Sequence, residues 1–214
     1  MLQKITALKL QKKNRQRVNV YLDGEYAFGL HALLAAPLKV GQSLSPEEIE
    51  QLRERDALEV AYERALDFLS YRPRSRAEVE AYLQRHRVPD PTIQGVIERL
   101  STAGLLDDEA FARYWVENRE AFRPRGQRLL RFELRRKGVP DVVVEEAIEA
   151  VDEAESAYRA ARDRARQLSH LDYQIFYRRL SGFLQRRGFD YEVVKETVKR
   201  LWLELRGSAT EESL

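Results

Sequence analysis

The chain has 214 residues, 43% hydrophobic and 34% charged, with a net charge of +2 and no cysteine. The missing cysteine excludes disulfides and thiol chemistry and suits a reducing compartment. There is no apolar signal core at the start and no run long enough to span a membrane, so a soluble cytoplasmic protein is expected.

Lys4 to Gln11 alternates at period two and reads as a strand, as does Arg17 to Leu22. Asp23-Gly24 is a hairpin turn, and Glu25 to Leu30 is the return strand. Three such strands form a small curled sheet that needs cover on its apolar face, part of it expected from Leu33, Leu34 and Leu38. Val40 to Ser43 reads as a turn, and Ser45-Pro46-Glu47-Glu48 opens a short helix by a capping box with proline at its first position.

From about Asp56 to Arg206 the pattern is helical, and it repeats. Tyr71-Arg-Pro-Arg-Ser75 recurs as Phe122-Arg-Pro-Arg-Gly126, an offset of 51 (71 to 122). Val79/Leu130, Leu83/Leu134, Val88/Val139, Ile93/Val144 and Ile97/Ile148 keep that register. A third copy without the Arg-Pro-Arg carries Leu180, Leu184, Phe189, Val194 and Val198 at an offset of 50 (130 to 180). Such a period means stacked supersecondary units, each too small to bury its apolar face alone. The helices are expected at 57–70, 75–87 and 91–101, then 108–121, 126–137 and 141–151, then 153–167, 172–187 and 191–206. Ser75 with Glu78 reads as a capping box, and Gly126 takes the equivalent N-cap. Gly138 and Gly188 close their helices in the left-handed conformation, while Arg87 in the first copy predicts an ending that is looser or of another type. Asp90 is expected as an N-cap ahead of Pro91. The fold class is therefore mainly α: three tandem three-helix repeats in an elongated, curved array, preceded by a small N-terminal three-stranded sheet. The expected boundaries are 1–52 for a separable β-rich accessory element, 53–206 for the repeats (about 57–101, 108–151 and 153–206), and 207–214 for a flexible tail.

The charge is segregated. Residues 4–17 carry six basic groups and no acid, and residues 123–137 carry seven basic groups against Glu133. Residues 140–157 hold seven acids and no base, and residues 158–187 eight bases against two acids. Alternating blocks suit either a partner that alternates charge or repeats that neutralise one another. The segregation also argues for a monomer.

Catalytic chemistry finds no residues to rest on. His31, His86 and His170 are far apart and lack partners at ligand spacing, and no phosphate loop, nucleophile elbow or metalloprotease motif is present. No enzyme activity, metal or cofactor is expected. Trp115 and Trp202 read as core. The basic helix from Gly126 is more informative: at 100° per residue Arg128, Arg131 and Arg135 fall within about 60° of one another, away from Leu130 and Leu134. They either pair with acids of 141–155 or form a binding surface. Phe132 lies beside them, either packing on a neighbouring repeat or offering a stacking face. The recurrence of Arg72/Arg74 as Arg123/Arg125 favours the surface, and arginine forks suit phosphates and carboxylates equally.

Tyr71-Arg-Pro-Arg-Ser, Gly104-Leu-Leu-Asp-Asp, Ala112-Arg-Tyr-Trp-Val-Glu-Asn, Arg123-Pro-Arg-Gly and Leu134-Arg-Arg-Lys-Gly-Val, in this order, resemble the bacterial RecX recombination regulators. Lys4-Ile-Thr-Ala-Leu and Val20-Tyr-Leu-Asp-Gly-Glu-Tyr-Ala resemble the extension of the longer members. The resemblance implies docking on a RecA–DNA filament and damping of its ATPase, strand-exchange and co-protease activities, with single- or double-stranded DNA near the contact. The basic positions that match its motifs are Arg72, Arg74, Arg123, Arg125, Arg128, Arg131 and Arg135. Two other readings compete: an autonomous DNA-binding protein using residues 126–137 as a recognition helix, and a structural scaffold.

Overall fold

The Asp23-Gly24 turn adopts positive φ at both residues (50° and 93°), the geometry of a type I′ hairpin, which matches the twist of the strands it joins. The computed structural model describes residues 1–211, with side chains as far as Arg206. Strand β1 (Gln3–Leu10) pairs antiparallel with β2 (Arg17–Leu22), and β2 with β3 (Glu25–His31). A fourth strand, β4 (Ser43–Leu44), pairs with the start of β1, so the order is β3-β2-β1-β4. It begins at the last residue of the segment that the sequence reads as a turn, and a strand so short leaves no alternation to detect.

One face of the sheet buries Ile5, Val20, Leu22, Phe28, Leu30 and Leu44. Ala35 of the short helix α1 (Ala32–Ala35) covers part of it, together with Ile49 and Leu52. Leu34 and Leu38 pack there as expected, but Leu33 is exposed. The covering residues Ile49 and Leu52 lie on α2 (Pro46–Ser70), which opens with the Ser45–Glu48 capping box. The structure has one helix of 25 residues here, rather than a short helix and a second one from 57. No glycine or proline interrupts residues 47–70, so nothing stops the first helix from running on. The boundary expected at 52/53 lies inside it.

The remaining helices follow the three copies. They are α3 (Arg76–Arg85), α4 (Asp90–Thr102), α5 (Asp108–Phe122), α6 (Gln127–Arg136), α7 (Asp141–Glu149), α8 (Glu153–Gln167), α9 (Tyr173–Arg186) and α10 (Tyr191–Glu211). Helix α10 extends beyond Arg206 into the expected tail, and residues 212–214 of that tail lie outside the described residues. Each copy buries its own cluster: Ala61, Val79, Leu83, Ile97 and Leu100 in the first; Phe111, Leu130, Leu134, Val144 and Ile148 in the second; Ala161, Phe176, Leu180, Leu184 and Val198 in the third. Three buried positions recur in all three clusters at the offsets of 51 and 50: Val79/Leu130/Leu180, Leu83/Leu134/Leu184 and Ile97/Ile148/Val198. Trp115 and Trp202 pack on the edges of their clusters and are only partly buried.

The helix ends correct two expectations. Arg87 adopts φ +58°, and Val88 N–H donates to Leu83 O. This is the closure that Gly138 and Gly188 give their helices, so the ending is of the same type, with an arginine bearing the left-handed cost. At α4 the N-cap is Pro89, with Asp90 and Pro91 in the first turn, one residue earlier than expected.

The chain divides into two compact units, residues 1–72 with 79–106, and residues 73–78 with 107–214. In the first, Asp56 on α2 is the polar anchor of the sheet. Its carboxylate accepts two hydrogen bonds from the Arg17 guanidinium, both 2.8 Å, and one from His31 N–H at 2.6 Å. His31 also caps α1, and its Nε2 lies 3.1 Å from Glu63 of α2. In the second unit the Ser75–Glu78 capping box forms, and Ser75 Oγ also donates to Lys137 O.

Candidate partner-binding surface

The basic surface is assembled in the second unit on α5, α6 and the loop between them. Leu130 and Leu134 face the core of the second copy, which turns the polar side of α6 outward. Glu133, the single acid among the seven bases of this block, is its hub. Its carboxylate accepts from Trp115 Nε1 at 2.9 Å and Arg119 Nε at 2.8 Å, and it pairs with Arg125. The Arg119 guanidinium lies 4.4 Å from the centre of the Trp115 ring, a cation–π contact. Arg125 thus serves the internal packing of the loop on α6.

Arg131 forms a fork to Glu145 of α7 with distances of 2.7 and 2.8 Å. Arg135 reaches Asp141 at 2.8 Å and Glu145 at 3.8 Å. Arg131 and Arg135 thus pair with the acidic block, as one of the two readings left open for them and Arg128 had it. The pairs lie at the surface, where water screens them and either partner can exchange for another ion. The hydrogen bonds from Arg131 hold the Glu145 carboxyl below the ordinary carboxylate range, and the pairing raises Arg131 in turn. Arg128 is exposed and donates through Nη2 to Gln185 O at 3.2 Å. Phe132 is exposed, with the Arg136 guanidinium 5.7 Å from its ring centre.

Arg72 falls in the first unit and Arg74 in the second; both are half-buried and engaged in interactions. The equivalent of Arg72 in the second copy, Arg123, is exposed, and its side chain makes no hydrogen bond or ion pair among the described residues. It opens onto a cavity of about 300 Å³ lined by Arg123, Arg125, Leu129, Arg186 and Arg187. The last two residues, at the end of α9, escaped the sequence reading. A signal was present: Arg186-Arg187-Gly188 repeats Arg136-Lys137-Gly138 at an offset of 50 (136 to 186).

Comparisons with known proteins cover almost the whole chain. Residues 3–45 match the regulatory protein RecX N-terminal domain. Residues 61–100, 107–148 and 151–198 match the first, second and third RecX three-helix domains. A regulatory protein RecX of Bacillus subtilis is 33% identical over 98% of this chain and 81% of its own length. One from Prosthecochloris aestuarii is 39% identical over 66% of this chain and 93% of its own. A crystal structure of regulatory protein RecX superposes with a TM-score of 0.76 at 27% identity, covering 93% of this chain and all of that one. RecX from Lactobacillus salivarius gives a TM-score of 0.64 at 26% identity, covering 70% and 99%. Sequence, segment order and three-dimensional structure agree that the chain belongs to the RecX family of regulatory proteins.

Proposed function

We propose that the protein is a non-enzymatic regulator that docks on a RecA–DNA filament and damps its ATPase, strand-exchange and co-protease activities. The observation that carries this reading is the presence, in order, of the N-terminal domain and all three three-helix domains of the regulator family. The surface chemistry supports it: exposed arginines and surface ion pairs on α6 stand next to an acidic α7, a mixed face suited to a partner made of both protein and nucleic acid. The reading as an autonomous DNA binder is the weaker one. A recognition helix needs base-reading side chains, and Gln127, the one amide on α6, sits in its first turn, its N–H held by Glu153. ATP hydrolysis by the cognate recombinase on single-stranded DNA should fall as this protein is titrated in. An unchanged rate, with no co-sedimentation with filaments, contradicts the proposal.

A further inference from the structure

The loop before α6 and the end of α9 are joined through their backbones. Gly126 N–H donates to Arg187 O at 3.0 Å. A Cβ on Gly126 would stand 2.2 Å from Gly188 O, and one on Gly188 would stand 2.4 Å from Leu129 Cβ. Only glycine at both positions permits this approach. The junction fixes four arginines around one cavity, and no carboxylate among the described residues lines it. Glu133 compensates Arg125 but is shared with Arg119 and Trp115. Arg187 lies over the Phe183 ring at 4.6 Å and donates to Pro124 O at 3.4 Å. The side chains of Arg123 and Arg186 have no hydrogen-bond or ion-pair partner among the described residues. Burial lowers the pKa of both Arg125 and Arg187, and neighbouring guanidiniums lower it further. Gathering like charges in a partly buried place costs free energy that an anion would return.

A second feature adjoins the cavity. Phe122, the residue before Arg123, is 78% exposed, and its counterpart in the first copy, Tyr71, is 83% exposed. Neither ring serves its own core. An aromatic face beside guanidiniums is the pairing by which proteins hold single strands: cations follow the phosphates while bases stack on the ring.

We propose that the cavity lined by Arg123, Arg125, Arg186 and Arg187 binds a backbone phosphate of single-stranded nucleic acid, with Phe122 stacking on an adjacent base. A tetrahedral phosphate offers more acceptor oxygens to converging guanidiniums than a carboxylate does, and a carboxylate has no use for the ring. The proposal rests on the filament reading only in its choice of a polynucleotide as the source of the phosphate.

The test uses the full chain and a labelled oligothymidylate with no recombinase present, followed by anisotropy over a range of salt. The double variant Arg123→Ala/Arg186→Ala should weaken binding about tenfold and flatten the slope of log affinity against log salt by about 0.7 for each phosphate it no longer neutralises. Phe122→Ala should weaken binding about tenfold with the slope unchanged, since it removes stacking alone. Both should melt with the unaltered protein, because none of the three side chains has an internal polar partner among the described residues. Inorganic pyrophosphate and ATP should compete far more weakly than the oligonucleotide. The site assignment is overturned if the unaltered protein ignores the oligonucleotide, if the double variant binds it normally, or if the double variant loses affinity only for an acidic peptide. Effective competition by pyrophosphate or ATP alone would overturn the polynucleotide. A double variant that binds DNA normally yet still damps the recombinase removes the pocket and leaves the filament reading intact. DNA binding through the pocket without any effect on a recombinase would do the reverse.

Discussion

Replacing Asp56 by alanine tests whether the N-terminal sheet is anchored to the first helical repeat. The substitution removes the acceptor of three hydrogen bonds, two from Arg17 and one from His31 N–H. The Arg17 and Asp56 side chains are 19% and 13% exposed, so water replaces the missing partner only in part. Removing one member of a buried pair costs about 3–5 kcal/mol, and stranding a buried N–H costs about 1–3 kcal/mol. Discounting for the residual exposure of Arg17 leaves a loss of about 3 kcal/mol. Urea unfolding followed by circular dichroism measures it, and a cycle with Arg17→Ala should return a coupling of about 1–3 kcal/mol. A loss below about 1 kcal/mol, with no coupling, would show that the sheet is held by its apolar packing alone and that the polar anchor is incidental.

Four further outcomes follow from the same geometry. Deleting residues 1–52 cuts α2 within its length and removes Arg17 and His31, so the first repeat should melt well below its temperature in the intact chain; an unchanged melt would restore the separable element expected from sequence. Gly126→Ala should cost about 1–3 kcal/mol in urea unfolding, because the new methyl meets the backbone of Gly188 rather than a side chain that can turn aside; a neutral result would mean the junction is loose. Glu133→Ala should cost about 3 kcal/mol, since Arg119, Arg125 and Trp115 all lose their acceptor; a loss under about 1 kcal/mol would show that solvent replaces it. Carboxyl NMR should find Glu145 titrating below the ordinary carboxylate range and returning toward it in Arg131→Ala. The folded-state value being depressed, the stabilisation from this pair is present above the unfolded value and is lost as pH falls through the folded one; identical titration in both proteins would contradict the pairing.

The repeat was legible because burial obeys a helical period: Leu83, Leu134 and Leu184 are all fully buried, at the spacing the sequence sets. The hairpin was legible because Asp-Gly at a turn leaves few alternatives. Strand β4 was not, since two residues carry no period, and neither was the run of α2 through 47–70, where a charged surface helix imitates a linker. The outcome at Arg87 shows that the closing hydrogen bond from Val88 N–H to Leu83 O can form with a non-glycine residue in the left-handed conformation. On the candidate surface, helix geometry placed Arg128, Arg131 and Arg135 outside the core of the second copy, but charge counts could not say which acids they would meet. The contribution of Arg186 and Arg187 depends on the close approach of Gly126 to Gly188, a long-range feature that no local pattern encodes.

The central claim is that this chain acts on a recombinase filament through its arginine-bearing surface, and the direct measurement is steady-state ATP hydrolysis by the cognate RecA on single-stranded DNA. Adding the unaltered protein should lower the rate in proportion to its occupancy of the filament. The variant Arg123→Ala/Arg128→Ala/Arg186→Ala, with its melting temperature unchanged, should require a much higher concentration for the same effect. Equal inhibition by variant and unaltered protein, or no inhibition and no co-sedimentation by either, would contradict the account.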